Sequence, residues 1–283
     1  MYTLSSPNFQ NHYIFEMKSA LRELYQPLQP VYLSRHAHPE YNEMVPAHVL
    51  QEFIYCYWDL KSTYRLDRSF NYTVVSDGCI DIFWNKKNPS ESYVMGTTDV
   101  ATQFSLGVDF HYAVIRFLPS AFPVLYKVDA DELRDSVIEL ETIDQTLSKY
   151  LQQQLSSQSC LHQDGLIIDA FYLEKLNRQP ATIDPRIIDL LTEIVKRDGS
   201  MRLRSDLTFP CSQRQVRRLF NQFIGKSPKT FIQILRFQKL LQDSPSVRLM
   251  LEKKLYFDAG YYDQAHFIKE FKRFHGTTPG QLL

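Results

Sequence analysis

Glycine is scarce in this sequence, with 9 among 283 residues. That scarcity argues against several glycine-lined phosphate sites, where bare backbone must approach the anion. Cysteine is scarcer. Cys56, Cys79, Cys160 and Cys211 are scattered, no CxxC pair occurs and zinc-ligand spacing is absent, so four reduced thiols are expected. No apolar run reaches the ~18 residues that a membrane-spanning helix needs. The opening MYTLSSPNFQNHYIF lacks a charged leader before a long apolar run. No secretory signal is therefore expected, and the chain reads as cytoplasmic. Net charge is missing too, because 32 Lys+Arg balance 32 Asp+Glu. At 44% hydrophobic and 23% charged residues, disorder, collagen-like repeats and a disulfide miniprotein are excluded.

The zero conceals an asymmetry. Residues 181–283 hold 18 Lys+Arg and 10 Asp+Glu, a net of +8, and residues 1–180 hold the opposite excess of −8. The length suggests about two domains. A basic segment of this kind has a nucleic-acid partner or docks on the acidic remainder, and charge alone leaves both readings open.

Residues 1–50 are irregular and proline-marked, with one helix-like piece over 15–25. Strand patterns then begin at 52–60 (EFIYCYWDL). Residues 71–76 (NYTVVS) and 79–84 (CIDIFW) flank Asp77-Gly78, a two-residue hairpin signal. Residues 92–95, 102–106 and 110–117 continue the series. Six short, closely spaced strands predict a small barrel or sandwich. After Pro119 the period becomes helical, over 140–155 and 165–176. Leucines at near-helical spacing give those helices an apolar face, which leaves open what it packs against. NRQPAT at 177–182 is the linker candidate. The expected organisation is α+β: residues 1–178 with a β-rich part at 50–118 and helices at 120–178, then an all-α unit at 183–283.

The basic unit carries the informative motifs. Asp184 is a natural N-cap and Pro185 a natural first helical residue. A helix over 187–195 is closed by Asp198-Gly199. A short helix over 200–207 precedes the turn Thr208-Phe209-Pro210-Cys211. Ser212 then opens S-Q-R-Q, a capping box with Gln215, and a helix over 213–224 stops at Gly225. Its apolar side is Val216, Leu219, Phe220 and Phe223. Its other side carries Gln213, Arg214, Arg217 and Arg218. Short helix, tight turn and capped helix make helix-turn-helix geometry, which lays the second helix in a major groove. There Gln pairs with adenine and Arg with guanine in bidentate fashion. In a single copy, a solvated face on an ordinary helical hairpin gives the same pattern.

A second copy follows. Helices are expected over 227–243 and 247–256, with a turn through Asp258-Ala259-Gly260 and Tyr261-Tyr262. Asp263 then caps a helix to Phe274, apolar at Ala265, Phe267, Ile268, Phe271 and Phe274. Its open side shows Gln264, His266, Lys269, Lys272 and Arg273. The two reading helices begin 51 residues apart, at Gln213 and Gln264. G-K-S-P (225–228) and G-T-T-P (276–279) follow them in turn. A rigid helix between two readers places them in successive major grooves, about 34 Å apart. Surrounding Lys and Arg would neutralise phosphates and make affinity salt-dependent.

At these residues the chain resembles the AraC/XylS family of bacterial transcription regulators. A-G-Y-Y-D-Q-A-H-F-I-K-E-F-K-R-F-H-G-T-T-P (259–279) matches the signature around the family's second reading helix. S-Q-R-Q-V-R-R-L-F-N-Q-F-I-G-K-S-P (212–228) matches its first unit. The resemblance covers the basic third and departs at D-L-T-F-P (206–210), where the family commonly has a small residue and a glycine-like turn. It implies a seven-helix DNA-binding domain and a regulator, not an enzyme. The implied partners are double-stranded DNA, a small-molecule effector, RNA polymerase in an activator, and a second copy in a homodimer. By position Gln213, Arg214 and Arg217 are implied as base readers in the first unit, and Gln264 and His266 in the second. His266 stays open between phosphate ligand and packed polar residue. Asp263 is assigned to capping and Glu270 to structural pairing.

The strands over 52–118 resemble the cupin-like barrel of many family members. S-D-G-C-I-D-I-F-W (76–84), V-M-G (94–96) and R-F-L-P-S-A-F (116–122) resemble one sensor subtype of unassigned ligand. Aromatic residues inside such a barrel either bind an apolar or sugar-like ligand or only fill it. Tyr55, Tyr57, Trp58, Tyr72, Phe83, Trp84 and Phe117 are the candidates. Asp81 and Arg116 are polar ligand contacts or a structural charge pair. His36-x-His38 with Glu43 imitates half of a cupin metal motif, but the partner histidine motif and preceding glycine are absent, so no metal or cofactor is expected. A cysteine methyl-acceptor enzyme on the same DNA module would need a clustered four-cysteine zinc site, which this chain lacks. Control by dimerisation or a protein partner, without a small effector, is not separable on sequence.

Overall fold

The computed structural model describes residues 21–29, 39–197, 211–244 and 246–283. Most of the helix expected over 15–25 lies outside them, as do His36, His38 and the helix and turn expected over 200–210. Eight strands are described: β1 (Glu40–Met44), β2 (Ile54–Lys61), β3 (Asn71–Val74), β4 (Asp81–Asn85), β5 (Asn88–Met95), β6 (Thr102–Ser105), β7 (His111–Phe117) and β8 (Val137–Glu139). They form a six-stranded sheet in the order β1-β2-β7-β4-β5-β8 and a two-stranded sheet β3-β6. Every pairing is antiparallel.

Strand alternation gives the large sheet two faces with different partners. On β4, Ile82 and Trp84 are fully buried and belong to the main core, together with Tyr57, Ala113, Ile115 and Phe117. Helices cover that face: α1 (Ala121–Tyr126), α2 (Leu140–Ile143), α3 (Gln145–Gln154) and α4 (Leu161–Arg178). Leu147 and Leu151 of α3 and Ile168 and Tyr172 of α4 complete the core. The opposite face carries Cys56, Trp58, Leu60 and Val114, which cluster with Tyr72 and Phe110 under the two-stranded sheet. The β part is thus a sandwich with one face packed by helices and one closed by β3-β6.

The helical part begins at α5 (Pro185–Lys196), where Asp184 accepts from the backbone N–H of Arg186 at 2.9 Å. It continues with α6 (Gln213–Ile224), α7 (Pro228–Asp243), α8 (Val247–Glu252) and α9 (Gln264–His275). Each start has a chemical cause. Ser212 and Gln215 form the capping box of α6. Ser227 accepts from Thr230 N before α7, and Asp263 accepts from His266 N before α9. Such caps satisfy backbone donors that lack an intrahelical partner. Gly225 and Gly276 end α6 and α9 with φ of 71° and 90°, a left-handed conformation that glycine adopts without Cβ cost.

Helix α7 belongs to two cores. Phe231, Ile232 and Leu235 join the main core with α5 and α6. Ile234, Phe237, Leu240 and Leu241 join a second core with Met250, Phe267, Phe271 and Phe274, and Val75 from the β part enters it as well.

Several expectations need correction. Asp77-Gly78 is not a hairpin turn, because β3 pairs with β6 while β4 pairs with β5 and β7. The turn carries the chain from one sheet to the other. Asp77 Oδ1 accepts from Cys79 N at 2.9 Å, and Gly78 (φ 79°) backs onto the Phe231 ring, 2.9 Å from where a Cβ would stand. Strands β1 and β8 were not expected, since their short segments sit among prolines and charges. The helix over 140–155 is two helices, broken at Asp144, whose side chain caps α3 by accepting from Leu147 N at 2.9 Å. Ala265 is exposed rather than on the buried side of α9.

Candidate nucleic-acid interface and cavity

The outward face of α6 is what its periodicity predicts. Val216, Leu219 and Phe220 are buried, so Gln213, Arg214, Arg217 and Arg218 are exposed. Those four make no hydrogen bond or ion pair among the described residues. Gln215 does not face outward to a ligand, because its side chain is occupied in the capping box. The result is three guanidiniums and one amide on consecutive turns of one helix, with no partner for them among the described residues.

The face of α9 differs. Gln264, Lys269 and Lys272 are exposed. His266 is half-buried, with Nε2 3.2 Å from Glu270 Oε1. Glu270 also accepts from Gln233 of α7, so it is a structural partner on the buried side. Arg273 points toward the β part, where its Nε donates to the carbonyl oxygen of Asp99 at 3.0 Å.

That last contact belongs to a larger joint. The segment 96–101 links β5 to β6 and touches the C-terminal ends of both α6 and α9. Thr97 Oγ1 donates to Ile224 O at 3.2 Å, and Lys226 Nζ meets Asp99 Oδ1 at 2.7 Å. Ala101 N donates to Arg273 O at 3.1 Å, and Ser76 N donates to Phe274 O at 3.2 Å. The Lys226 side chain is fully buried; burial lowers its pKa, and the hydrogen bond to Asp99 opposes that. A Cβ on Gly225 would stand 2.5 Å from the Ala130 carbonyl oxygen, so this glycine serves a close approach as well as a turn. No periodicity marked Thr97, Asp99 or Lys226 in the sequence. They lie in a polar loop and in the G-K-S-P turn.

Between the two sheets lies a cavity of about 310 Å³. One wall is the large sheet, with Trp58, Asp81, Phe83, Tyr93, Tyr112 and Val114. The other is β3-β6, with Tyr72, Val74, Phe104 and Leu106. Trp58, Tyr72, Asp81 and Phe83 are therefore brought together. Tyr57, Trp84 and Phe117 are not, because alternation turns them to the opposite face. The Tyr57 hydroxyl donates to Asp169 at 2.8 Å there. Tyr55 packs under Arg22, 5.2 Å from guanidinium carbon to ring centroid.

Arg116 stands behind the cavity. It faces Asp81 across the β4–β7 register and grips it with two hydrogen bonds, at 3.2 and 2.8 Å. Asp77 lies 3.5 Å away. Burial opposes the Arg116 charge, but the two carboxylates more than offset that and hold the guanidinium protonated. Burial raises the Asp81 carboxyl, with Arg116 opposing. Among the described residues no group of three or more His, Cys, Asp or Glu could hold a metal, and no helix is long and apolar enough to cross a membrane.

Comparison with known families gives two matches. Residues 208–283 match a family described as a helix-turn-helix domain, and they contain α6 and α9 with their caps. That match falls on the segment whose motifs resemble the AraC/XylS regulators. Residues 208–283 are a helix-turn-helix domain. Residues 42–139 match a second family, described as a domain of unknown function, DUF6597, and that span holds the cavity. No curated protein matches the sequence. Solved structures of ToxT from Vibrio cholerae are similar at low level. An apo point variant gives 12% identity and a TM-score of 0.43, covering 79% of this chain and 96% of that one. ToxT bound to (E)-4-(8-methylnaphthalen-1-yl)but-3-enoic acid gives 11% and 0.41, covering 79% and 97%. Likeness at this level assigns no residue role in this chain.

Proposed function

We propose that residues 183–283 read specific DNA in two successive major grooves, under control of residues 1–178 through a small-molecule effector in the cavity. Gln213, Arg214 and Arg217 read base edges in one groove, and Arg218 holds phosphate beside them. Gln264 reads in the other, with Lys269 and Lys272 on the backbone. His266 and Arg273 reach DNA only after leaving Glu270 and Asp99.

One observation carries the control. Strands β5 and β6, whose residues line the cavity, run directly into segment 96–101, which holds the ends of both reading helices. A ligand that bound one arrangement of these strands better would shift the population of DNA-competent states without doing chemistry. An activator would also meet RNA polymerase, and a homodimer would place four readers on one site.

DNase footprinting of the full chain on DNA upstream of its own gene tests the reading. Two protected segments about one helical turn apart are expected. No protected site, with or without cell extract, overturns it. Asp99→Ala tests the control: a changed DNA affinity supports it, and unchanged affinity removes the joint from regulation.

A further inference from the structure

The cavity has a polar character that its walls do not need for folding. Trp58 Nε1 and the Tyr72 hydroxyl are buried side-chain atoms with no hydrogen-bond partner among the described residues. Both residues line the cavity, at 4% and 7% exposure, with ring centroids 6.1 Å apart. Most buried polar groups are paired, and an unpaired one calls for a ligand, a water or a cost. An indole N–H only donates. Burial raises the Tyr72 hydroxyl, so it stays neutral.

Charge narrows the occupant further. Among the described residues the lining includes Asp81 and Glu91 and no Lys, Arg or His. Hydrogen bonds from Asn85 and Asn88 keep the Glu91 carboxyl below its ordinary value at the exposed rim. Arg116 is committed to Asp81 and Asp77. Among the described residues, a carboxylate or phosphate entering here would meet two acids and no free cation. A donor or a cation would meet Asp81, whose oxygens can each accept again, and aromatic faces that attract positive charge.

We infer that the cavity takes a small aromatic amine, neutral or cationic, whose flat body lies among Tyr72, Phe83, Tyr93 and Phe104, whose N–H groups reach Asp81, and whose acceptor takes the Trp58 N–H. The cavity volume is at the lower end for ligand pockets, which suits one or two fused rings. This rests on the effector reading only in treating the cavity as a sensor. Occupancy is measured without DNA, so binding with no DNA response would overturn that reading and leave this one standing.

The test is calorimetric titration of the full chain with three two-ring probes of similar size: aminoquinoline, naphthalene and naphthalene carboxylate. Aminoquinoline is expected to bind at least about tenfold more tightly than the carboxylate, the order of one charge-assisted hydrogen bond. Trp58→Phe and Tyr72→Phe keep the rings, and each is expected to weaken aminoquinoline about threefold to tenfold. Asp81→Asn is expected to narrow the preference for the amine. Because it unbalances a buried pair, the exposed Glu91→Gln provides a second reading in the same direction with the fold intact. Equal or tighter carboxylate binding overturns the inference. So does no binding of any probe at millimolar concentration, or amine binding indifferent to both Trp58→Phe and Glu91→Gln.

Discussion

Helices α6 and α9 have the same length and each starts on a side-chain cap, yet their outward faces are in different states. On α6, Gln213, Arg214, Arg217 and Arg218 have no partner among the described residues. On α9, His266 is held by Glu270 and Arg273 by Asp99. Under the proposed reading, the first helix can bind as it stands and the second must first be partly released. The +8 of the basic part therefore has two uses. Its docking on the acidic part runs through Lys226 and Arg273 at helix C-termini, while the arginines of α6 stay outside that joint. Charge arithmetic posed DNA and docking as rivals; the docking contacts leave the α6 face uncovered, so the two readings do not compete for the same surface.

The strongest way to break this contrast is to remove the second unit's core. Phe237 is fully buried, with ring centroids 5.7 Å from Phe271 and 5.6 Å from Phe274. Phe237→Ala should cost about 3–5 kcal/mol. Because α7 enters two cores, hydrogen exchange should show loss of protection in α9 with protection kept in α6. Equal loss in both would mean that the two units fold as one.

A smaller effect separates base reading from positioning. Arg217→Ala should weaken the specific site by about 1–3 kcal/mol and relax sequence preference, if its guanidinium holds a base bidentately. Lys272→Ala should weaken all sequences alike and reduce the salt slope by about one. Titrations on specific and scrambled DNA at several salt concentrations check both. If the two variants behave alike, the division of roles is wrong.

How much of this was legible beforehand depended on whether a local pattern encoded it. The helix over 213–224 was read to the residue because Ser212, Gln215 and Gly225 mark its ends chemically. The face of α6 followed from a 3.6-residue period. The joint at segment 96–101 was not legible, since Thr97 and Asp99 contact residues more than 120 positions away and a polar loop carries no period. The cavity was half legible. Aromatic density pointed to Trp58, Tyr72 and Phe83, but Tyr57 was included because sequence does not say which parity of β2 faces inward. The Asp77-Gly78 turn misled for a related reason: its chemistry specifies a reversal, while the pairing of the strands it joins is set by packing, here with Phe231 against Gly78.

The smallest predicted effect concerns His275 at the end of α9, which no counterpart on α6 shares. Its ring stacks on Phe271 with centroids 4.9 Å apart, and Nδ1 lies 3.1 Å from Thr277 Oγ1. Burial lowers its pKa from the ordinary 6.5, and a backbone hydrogen bond only partly opposes that. The unfolded chain therefore binds the proton more readily than the folded one. The neutral ring's contribution is fully present above pH 6.5 and is lost as pH falls from there toward the lowered folded value. His275→Phe keeps the stacked ring and removes the titration. Thermal unfolding compared at about pH 7.5 and about pH 5.5 should show a shallower acid loss in the variant, since every other titrating group is common to both proteins. An identical pH slope would mean that the imidazole is solvated in the folded state. The second unit would then differ from the first only through Glu270 and Asp99.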